Sequence, residues 1–335
     1  MKYNTYGRTG LKVSEIVIGG GNVGGLFIYG DEQTRRVAFR RALDLGINWI
    51  DTAPQYGDGI SEENLGALLA ECDPRPFIST KVRLEQDQLD DIPRAIEDSL
   101  RGSLKRLRLD SVDLLQLHNN IGTHAKGRTI TLDHVLGPGG VADGLDRLRD
   151  QGLIRFTGFT AKGDSESCRL AADSGRFDSA QVIYNLLNPS ARRDLPDPAA
   201  SGAMPPLWRG QDFAGLMAAC HRHGTATMVI RVFAAGIIAT DARTGRESIL
   251  TENTEIGEEE RRARAVFAAL GDTWGNRAQT AVRFALAEPR VACVNIGISE
   301  PGHIDEAVSA AALGPLPGGA LEKLNALYKT DFHSG

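Results

Sequence analysis

The chain has 335 residues, of which 41% are hydrophobic and 24% charged, and this composition excludes a disordered, collagen-like or disulfide-dense protein. Its formal net charge of −5 gives no global basic surface for nucleic acid or for an anionic membrane, and no apolar run is long enough to cross a bilayer. Four separated cysteines without a CxxC pair and a polar amino-terminal segment favour a cytoplasmic protein with free thiols and no signal peptide.

Eight short runs rich in apolar and β-branched residues are predicted to be strands. In chain order they are 15–19, 47–51, 77–81, 112–118, 154–160, 179–184, 227–231 and 291–297. Runs that are apolar on both faces are typical of a parallel sheet that helices cover on both sides.

Amphipathic segments of helical period lie between these strands. The predicted helices are 33–45, 61–70, 92–107, 141–150, 165–174, 213–223, 260–270, 278–287 and 303–312. Ser61, with the acids that follow it, is expected to cap the second helix. Eight strands in alternation with helices predict an α/β protein, a (β/α)8 TIM barrel, and the absence of a linker predicts a single domain over residues 1–335. A doubly wound open sheet shows the same alternation and is the alternative.

Three connections are too long for ordinary turns, namely 119–140, 185–212 and 239–257. Each follows the carboxyl end of a predicted strand, which is the face where the active sites of TIM barrels lie. Structureless loops of this length are usually functional lids or mobile segments. The rim at the carboxyl ends of the strands is therefore the predicted place of the site.

The 38 glycines exceed the usual share, and they are densest directly after the first strand. The run from Gly19 to Gly24 fits the GxGxxG fingerprint of a Rossmann fold, in which a helix begins at the glycines and binds pyrophosphate. Here the helical pattern begins only near Asp31, too far along the chain for that role. We therefore interpret the run as a rim loop whose bare backbone lets a flat ligand approach closely.

Polar side chains at the ends of consecutive predicted strands are the strongest functional signal. Asp51 ends the second strand, and Tyr56 lies just beyond it. Lys81 ends the third strand, and His118 ends the fourth. Each has an ordinary structural explanation, as a helix cap, a turn aromatic, a surface charge or a core histidine. In a parallel barrel, however, all four converge on one rim.

These four side chains are suited to proton donation by a phenol. A tyrosine is a weak acid, with a pKa of about 10, but a neighbouring ammonium such as Lys81 stabilises the phenolate. Asp51 would orient that ammonium, and His118 would hydrogen-bond a carbonyl oxygen of the substrate. Such a site protonates the oxygen as hydride reaches the carbonyl carbon. Because no side chain supplies hydride, the chemistry needs a nicotinamide cofactor.

The motifs around these residues resemble those of the aldo-keto reductase superfamily. They are Asp-Thr-Ala-Pro-Gln-Tyr-Gly at 51–57, Thr-Lys-Val at 80–82, Asp-Leu-Leu-Gln-Leu-His at 113–118, Gly-Phe-Thr at 158–160 and Gln-Val-Ile-Tyr-Asn at 181–185. The resemblance covers nearly the whole chain and implies a TIM barrel that binds an extended nicotinamide cofactor across the strand ends, without a Rossmann domain. Asp51, Tyr56, Lys81 and His118 resemble the catalytic tetrad of the family, with Tyr56 as the acid.

The resemblance also implies which residues contact the cofactor. Gln181 would bind the carboxamide and Tyr184 would stack on the nicotinamide ring. Contacts with the ribose, the carboxamide, the ring, the pyrophosphate and the adenosine are expected, in chain order, from Gly20, Gly21, Asn22, Thr160, Gln181, Tyr184, Arg231, Val232, Phe233, Ala235, Gly236, Gly297, Ser299, Glu300 and His303.

Two departures from the family pattern bear on the cofactor. Where the family commonly has Ser-Asn after the fifth strand, this chain has Thr160 and Ala161, so the carboxamide contact must differ in part. Where NADP-dependent members place Lys and Arg around the 2′-phosphate, this chain has Gly297 and His303, with Glu300 nearby. A carboxylate there suits a free 2′-hydroxyl. NADP(H) is nevertheless favoured on family frequency, NAD(H) is the alternative, and no metal is expected.

The sequence therefore predicts an NAD(P)(H)-dependent oxidoreductase that reduces an aldehyde or ketone to the alcohol. Its long polar loops favour a small polar carbonyl such as a sugar. Four arginines in the first two of these loops are either solvated or in contact with a polar or anionic substrate, namely Arg128, Arg192, Arg193 and Arg209. One alternative is an NAD-dependent sugar or alcohol dehydrogenase working in the oxidative direction. Another is a non-catalytic regulatory subunit that binds the cofactor. No nucleic-acid or membrane partner is expected, and self-association is left open.

Overall fold

The centre of the molecule is a closed barrel of eight parallel strands that follow one another in chain order. The computed structural model describes residues 1–194, 208–252 and 254–333. The strands are β1 (Ile16–Gly19), β2 (Trp49–Asp51), β3 (Phe77–Val82), β4 (Val112–Leu117), β5 (Ile154–Ala161), β6 (Ser179–Ile183), β7 (Ala226–Ile230) and β8 (Val291–Gly297). Pairing of β8 with β1 closes the barrel. The predicted (β/α)8 TIM barrel is confirmed, and the open sheet is excluded.

Helices surround the barrel in the described part of the chain. The longer ones are α1 (Glu32–Asp44), α2 (Ile60–Leu69), α3 (Ile92–Leu107), α4 (Val141–Asp150), α5 (Ser165–Asp173), α6 (Leu216–Arg222), α7 (Ile256–Leu270), α8 (Arg277–Leu286), α9 (Gly302–Ala312) and α10 (Gly318–Tyr328). Every predicted helix has a counterpart, whereas α10 is absent from the sequence prediction. None of the helices in these residues is long and apolar enough to cross a membrane.

Helix α3 shows how the sequence builds this layer. The Asp91 carboxylate caps its first turn by accepting from the backbone N–H of Arg94 at 3.3 Å. Ile96 and Leu100, four residues apart, are buried on the face toward the barrel. Burying a side chain of this size stabilises the fold by roughly 1.5–3 kcal/mol.

The amino-terminal end of the barrel is closed by its own plug. Strands Tyr3–Thr5 and Lys12–Ser14 form an antiparallel hairpin there. Tyr6, at the turn of this hairpin, is fully buried, and its ring centroid lies 4.8 Å from that of Trp49 in β2. The opposite rim, at the carboxyl ends of the strands, is left for the long loops.

Two local predictions on that rim are wrong. The first is the helix cap at Ser61. Helix α2 begins at Ile60, and the residue before it is Gly59, whose φ of 93° only glycine adopts readily. Ser61 therefore lies inside the helix and does not cap it. The buried Ser61 hydroxyl instead donates to the carbonyl of Gly20 at 3.0 Å. The second is the start of helical structure, which the sequence predicts only near Asp31. The glycine run instead leads into a short helix, Leu26–Tyr29, whose four residues are too few to show a helical pattern in the sequence.

The described parts of the three long connections extend from this rim. The first, 119–140, contains two short paired strands, Asn120–Gly122 and Thr129–Thr131, and a short helix, Leu132–Leu136. The second, 185–212, includes residues 195–207, which lie outside the described residues. In the third, 239–257, the Arg246 guanidinium lies 4.9 Å from the centroid of the Tyr29 ring, so this segment reaches the loop after β1.

Candidate active site

A buried carboxylate organises the centre of the rim. Asp51, the last residue of β2, is 1% exposed, and its Oδ2 lies 2.5 Å from the Lys81 ammonium. The side chains of Ser79 at 2.7 Å and Gln116 at 3.2 Å donate to Oδ1, and that of Asn295 donates to Oδ2 at 3.0 Å. Four donors thus satisfy this carboxylate, as a buried charge requires.

Three of these donors, Ser79, Gln116 and Asn295, are not identified as site residues from the sequence motifs. Ser79 stands two residues before Lys81 on β3, and Gln116 lies on β4, next to it in the barrel. Because side chains alternate across a strand, inward polar positions recur at spacings of two. The signal for Ser79 was therefore present in the sequence, but Asn295 on β8 is brought close only by closure of the barrel.

Lys81 is held charged beside the phenol of Tyr56. Its Nζ also donates to the carbonyl of Thr52 at 2.8 Å and lies 4.8 Å from the centroid of the Tyr56 ring. Burial alone would lower the pKa of Lys81, but Asp51 and Tyr56 outweigh burial and hold the pKa above its ordinary value of 10.5. The ammonium is therefore permanent in the neutral range.

The phenol of Tyr56 is protonated in the neutral range. Burial raises its pKa, Lys81 opposes that rise and Asp51 adds to it, so that the pKa lies above the ordinary value of 10.0. Lys81 lowers the pKa of the phenol, as expected, but burial of the phenol outweighs this effect.

His118 completes the group as a neutral imidazole. Its ring meets the Tyr56 ring edge-on, with centroids 5.9 Å apart, and its Nδ1 lies 3.3 Å from Oε1 of Gln55. Burial and the nearby cations Lys162 and Lys81 hold the pKa of His118 well below 6.5. The structure therefore brings together all four side chains that the sequence singles out.

The glycine loop lies against the edge of the phenol. The N–H of Gly20 donates to the carbonyl of Asp51 at 2.7 Å. A Cβ on Gly21 would lie 3.5 Å from Cζ of Tyr56, so the missing side chain leaves the ring open on that side. The Asn22 side chain accepts from the N–H of Gly57 at 3.2 Å and ties the two loops together.

Thr160 and Gln181 sit side by side inside the rim. The Thr160 hydroxyl donates to Oε1 of Gln181 at a long 3.4 Å. Nε2 of Gln181 has only the thioether of Met228 within reach, at 3.5 Å, and sulfur is a weak acceptor. Gln181 is 2% exposed, so water does not replace the missing partner, and the amide N–H groups remain free to donate to a ligand.

The Tyr184 ring points away from the interior of this rim. Its ring is 1% exposed and stacks on Phe284 of α8, with centroids 4.9 Å apart. It lies three positions after the inward Gln181, an odd spacing that directs its side chain to the opposite face of the strand, toward the helical layer. The expected stacking of Tyr184 on a nicotinamide ring is thus not supported by the structure.

The loop after β7 has an unusual backbone. Arg231, Ala234 and Ala235 have φ values of 62°, 44° and 60°, a region that non-glycine residues seldom occupy. Val232, Phe233 and Gly236 belong to the same turn. Such strained residues cluster at ligand clamps.

The Arg231 guanidinium in that loop donates to the carbonyl of Ser248. Burial lowers its pKa from the ordinary value, and Glu259 opposes the shift. A half-buried cation is thus available at the place expected for the pyrophosphate.

The loop after β8 carries the residues expected at the adenosine end. His303 lies 3.4 Å from Oε1 of Glu300 through Nε2, and 3.3 Å from the Ser299 hydroxyl through Nδ1. Glu300 is largely exposed. Gly297 is nearly in contact with Gly24, since a Cβ on it would lie 3.4 Å from the Gly24 nitrogen.

These features fit a flat, polar and anionic group such as a nicotinamide dinucleotide. Gly21 leaves space beside the phenol, Gln181 has a spare amide donor, and Arg231 supplies a half-buried cation. The described residues contain no group of three or more His, Cys, Asp or Glu that could hold a metal ion.

A family model described as the aldo/keto reductase family matches residues 15–329. The chain belongs to the aldo/keto reductase family. Members of this family are oxidoreductases that use nicotinamide cofactors. The resemblance seen in the sequence is therefore confirmed.

Individual relatives extend this assignment. The L-galactose dehydrogenase of Arabidopsis thaliana is 34% identical over 158 residues. This match covers 46% of this chain and 46% of the relative, about half of each. The D-threo-aldose 1-dehydrogenase of a Pseudomonas species is 27% identical over 94% of each chain. A solved aldo-keto reductase from Bacillus halodurans, in its holo form, shares the fold with a TM-score of 0.72 at 23% identity, over 98% of this chain and 96% of that one.

Proposed function

We propose that the protein reduces an aldehyde or ketone to the alcohol with NAD(P)H, and that Tyr56 donates the proton. The observation that carries this proposal is the buried Asp51–Lys81 ion pair at 2.5 Å, with its ammonium beside the Tyr56 ring. Burying two charges is costly unless their geometry is constrained by many bonds. The proposed function explains why the fold tolerates this desolvation cost, because the buried pair fixes the Lys81 ammonium beside the Tyr56 phenol.

Each residue then has a defined role. A bound reduced nicotinamide supplies the hydride. The carbonyl oxygen lies between Tyr56 and the neutral His118, which orients it by a hydrogen bond. Tyr56 transfers its proton to the oxygen as negative charge develops there, and Lys81 stabilises the resulting phenolate. Asp51 keeps Lys81 in place.

A small polar carbonyl such as a sugar is the proposed substrate. Two relatives are named as dehydrogenases of an aldose and of L-galactose, which supports this class. The same names support oxidation of a sugar as the second candidate for the physiological direction.

The cofactor preference is open to a direct test. Family frequency favours NADP(H), whereas the exposed Glu300 with its His303 partner suits a free 2′-hydroxyl and so NAD(H). Fluorescence titrations with NADPH and NADH give the two dissociation constants. At least tenfold tighter binding of NADPH supports the first assignment, and the reverse ratio supports the second.

Turnover distinguishes an enzyme from a non-catalytic cofactor-binding subunit. We expect absorbance at 340 nm to fall when NADPH or NADH is mixed with the protein and a panel of aldoses and small aldehydes. The converse assay mixes the protein with the oxidised cofactor and a panel of alcohols, and follows the gain of absorbance at 340 nm. If the cofactor binds tightly but neither assay shows a change in absorbance, the proposal is overturned.

The pH profile follows from the two perturbed pKa values. His118 remains neutral down to below pH 6.5 because its pKa is lowered, and Tyr56 remains protonated up to above pH 10 because its pKa is raised. For a neutral carbonyl, kcat/KM for reduction should be level between these limits and fall only at higher pH. An inflection near 6.5 that disappears in His118→Gln would contradict this assignment.

Gly21→Ala tests where the substrates approach the phenol. The new methyl would make ordinary contact with the Tyr56 ring, 3.5 Å from Cζ, so the free energy of unfolding should change by less than about 1 kcal/mol. Occupying that side of the ring should lower kcat/KM by about tenfold, because small misplacements at a reacting centre are costly. Gly318→Ala, where nothing lies within 4 Å, is the matched control. Full activity in Gly21→Ala would mean that the ring is used from another side.

A further inference from the structure

Three cations from separate loops lie close enough to His118, at the mouth of the site, for their charges to act on it. Arg83 follows β3, Arg128 lies in the loop after β4, and Lys162 follows β5 directly. The charges of all three act on the His118 imidazole, and those of Arg83 and Arg128 also act on Lys162. Neighbouring strands of the barrel thus deliver like charges to one place.

These cations are incompletely paired. Arg83 donates to Glu85 at 3.0 Å, but Arg128 and Lys162 have no carboxylate within 4.0 Å among the described residues. An exposed arginine such as Arg128 needs no partner, since water solvates it. Lys162 differs, because its side chain is half-buried among like charges.

A polar cavity of about 400 Å³ opens beside two of these cations, Arg83 and Arg128. Gln55 also lines it, whereas Lys162 is not among the lining residues. Gln55 also contacts His118 at 3.3 Å, so the cavity is one side chain away from the proposed catalytic group. Arg106 in the wall is neutralised by Glu62 at 2.7 Å, and Asp58 is the one acidic residue of the lining.

The position of Lys162 is unfavourable without an anion. Burial lowers its pKa to about 8, and the charges of Lys81, Arg83 and Arg128 add to that shift. Holding an unpaired ammonium in such surroundings costs stability, and a bound carboxylate or phosphate would offset that cost by charge-assisted hydrogen bonds.

We propose that Arg83, Arg128 and Lys162 form a subsite that binds an anionic group, a carboxylate or a phosphate, on the substrate. The carbonyl end would lie at Tyr56 and His118, and the anion at the cavity beside Gln55. The inference rests on the proposed carbonyl reduction and narrows its substrate class to small carbonyl compounds that carry a negative charge.

Matched substrate pairs test the subsite. Glyceraldehyde 3-phosphate is compared with glyceraldehyde, and succinic semialdehyde with butanal, by the decrease of NADPH or NADH. We expect kcat/KM to be about tenfold or more higher for the charged member of at least one pair. Preference within the first pair identifies a phosphate, and preference within the second a carboxylate.

Variants assign the preference to these residues. In Arg128→Gln with Lys162→Gln the ratio of the two kcat/KM values within the preferred pair should fall to near one. Lys126→Gln removes an exposed cation of the same loop and should leave the ratio unchanged. If the native protein reduces the neutral carbonyls with the same kcat/KM as the charged ones in both pairs, the inference is overturned and the proposed function stays intact.

A binding measurement separates the two proposals. NADPH-loaded protein is titrated calorimetrically with inorganic phosphate and with succinate, so that the cofactor occupies its own anion contacts. Saturable binding that is lost in the double variant but kept in Lys126→Gln supports the subsite, even if no carbonyl is reduced. Absence of binding by both anions contradicts it, whatever the turnover result.

Discussion

Tyr56→Phe is expected to lower kcat/KM for carbonyl reduction by about 10²–10⁴-fold, the contribution typical of a positioned general acid. The substitution removes only the hydroxyl that would donate the proton. The ring remains between Lys81 and His118, so the cation–ring and edge-on contacts at 4.8 Å and 5.9 Å are kept. The dissociation constant of the cofactor should therefore change little.

The control for this result is another hydroxyl deletion at the opposite end of the barrel. Tyr3 donates to the carbonyl of Gly46 at 2.8 Å in the amino-terminal hairpin, and Tyr3→Phe should keep its activity. If Tyr56→Phe retained more than about a third of the native kcat/KM, the proton would have to come from another donor.

Lys81→Met is expected to affect both activity and stability. Without the ammonium, Asp51 stays buried with its neutral donors but no opposite charge, and breaking a buried pair in this way costs about 3–5 kcal/mol. The bonds from Ser79, Gln116 and Asn295 remain and place the expected loss in unfolding free energy at the lower end of that range. Urea unfolding followed by circular dichroism measures it.

The same change should lower kcat/KM by about 10²–10⁴-fold, because the phenolate formed at Tyr56 loses its cation. Asp51→Asn combined with Lys81→Met removes both charges and should recover most of the stability but none of the activity. Recovery of both would show that the ion pair acts only through the fold. A loss of stability as large in the double variant as in Lys81→Met would contradict the explanation by an unpaired charge.

The barrel and the central side chains were predictable because they follow from local pattern. Apolar runs define the strands, and in parallel strands the residues at the carboxyl ends meet at one rim. Asp51, Lys81 and His118 could thus be grouped before any distance was known. The rest of the carboxylate's environment, such as Asn295, depends on which strands become neighbours.

The failures are equally physical. Ser61 has the chemistry of a helix cap, but the helix begins one residue earlier and its hydroxyl is used to hold the glycine loop. Tyr184 is expected at the cofactor from its motif, whereas its buried ring stacks on Phe284. Lys162 carries no motif at all, and only its burial among other cations distinguishes it.

Deuterium transfer tests the central proposal most directly. The protein is incubated with glyceraldehyde and with glyceraldehyde 3-phosphate, together with NADPH or NADH deuterated at both C4 positions, and the products are analysed by mass spectrometry. Hydride transfer at the Tyr56 site predicts an alcohol with one deuterium on the former carbonyl carbon, formed by the native protein and at least about a hundredfold more slowly by Tyr56→Phe. Alcohol without deuterium, or labelled alcohol formed equally fast by both proteins, would contradict it.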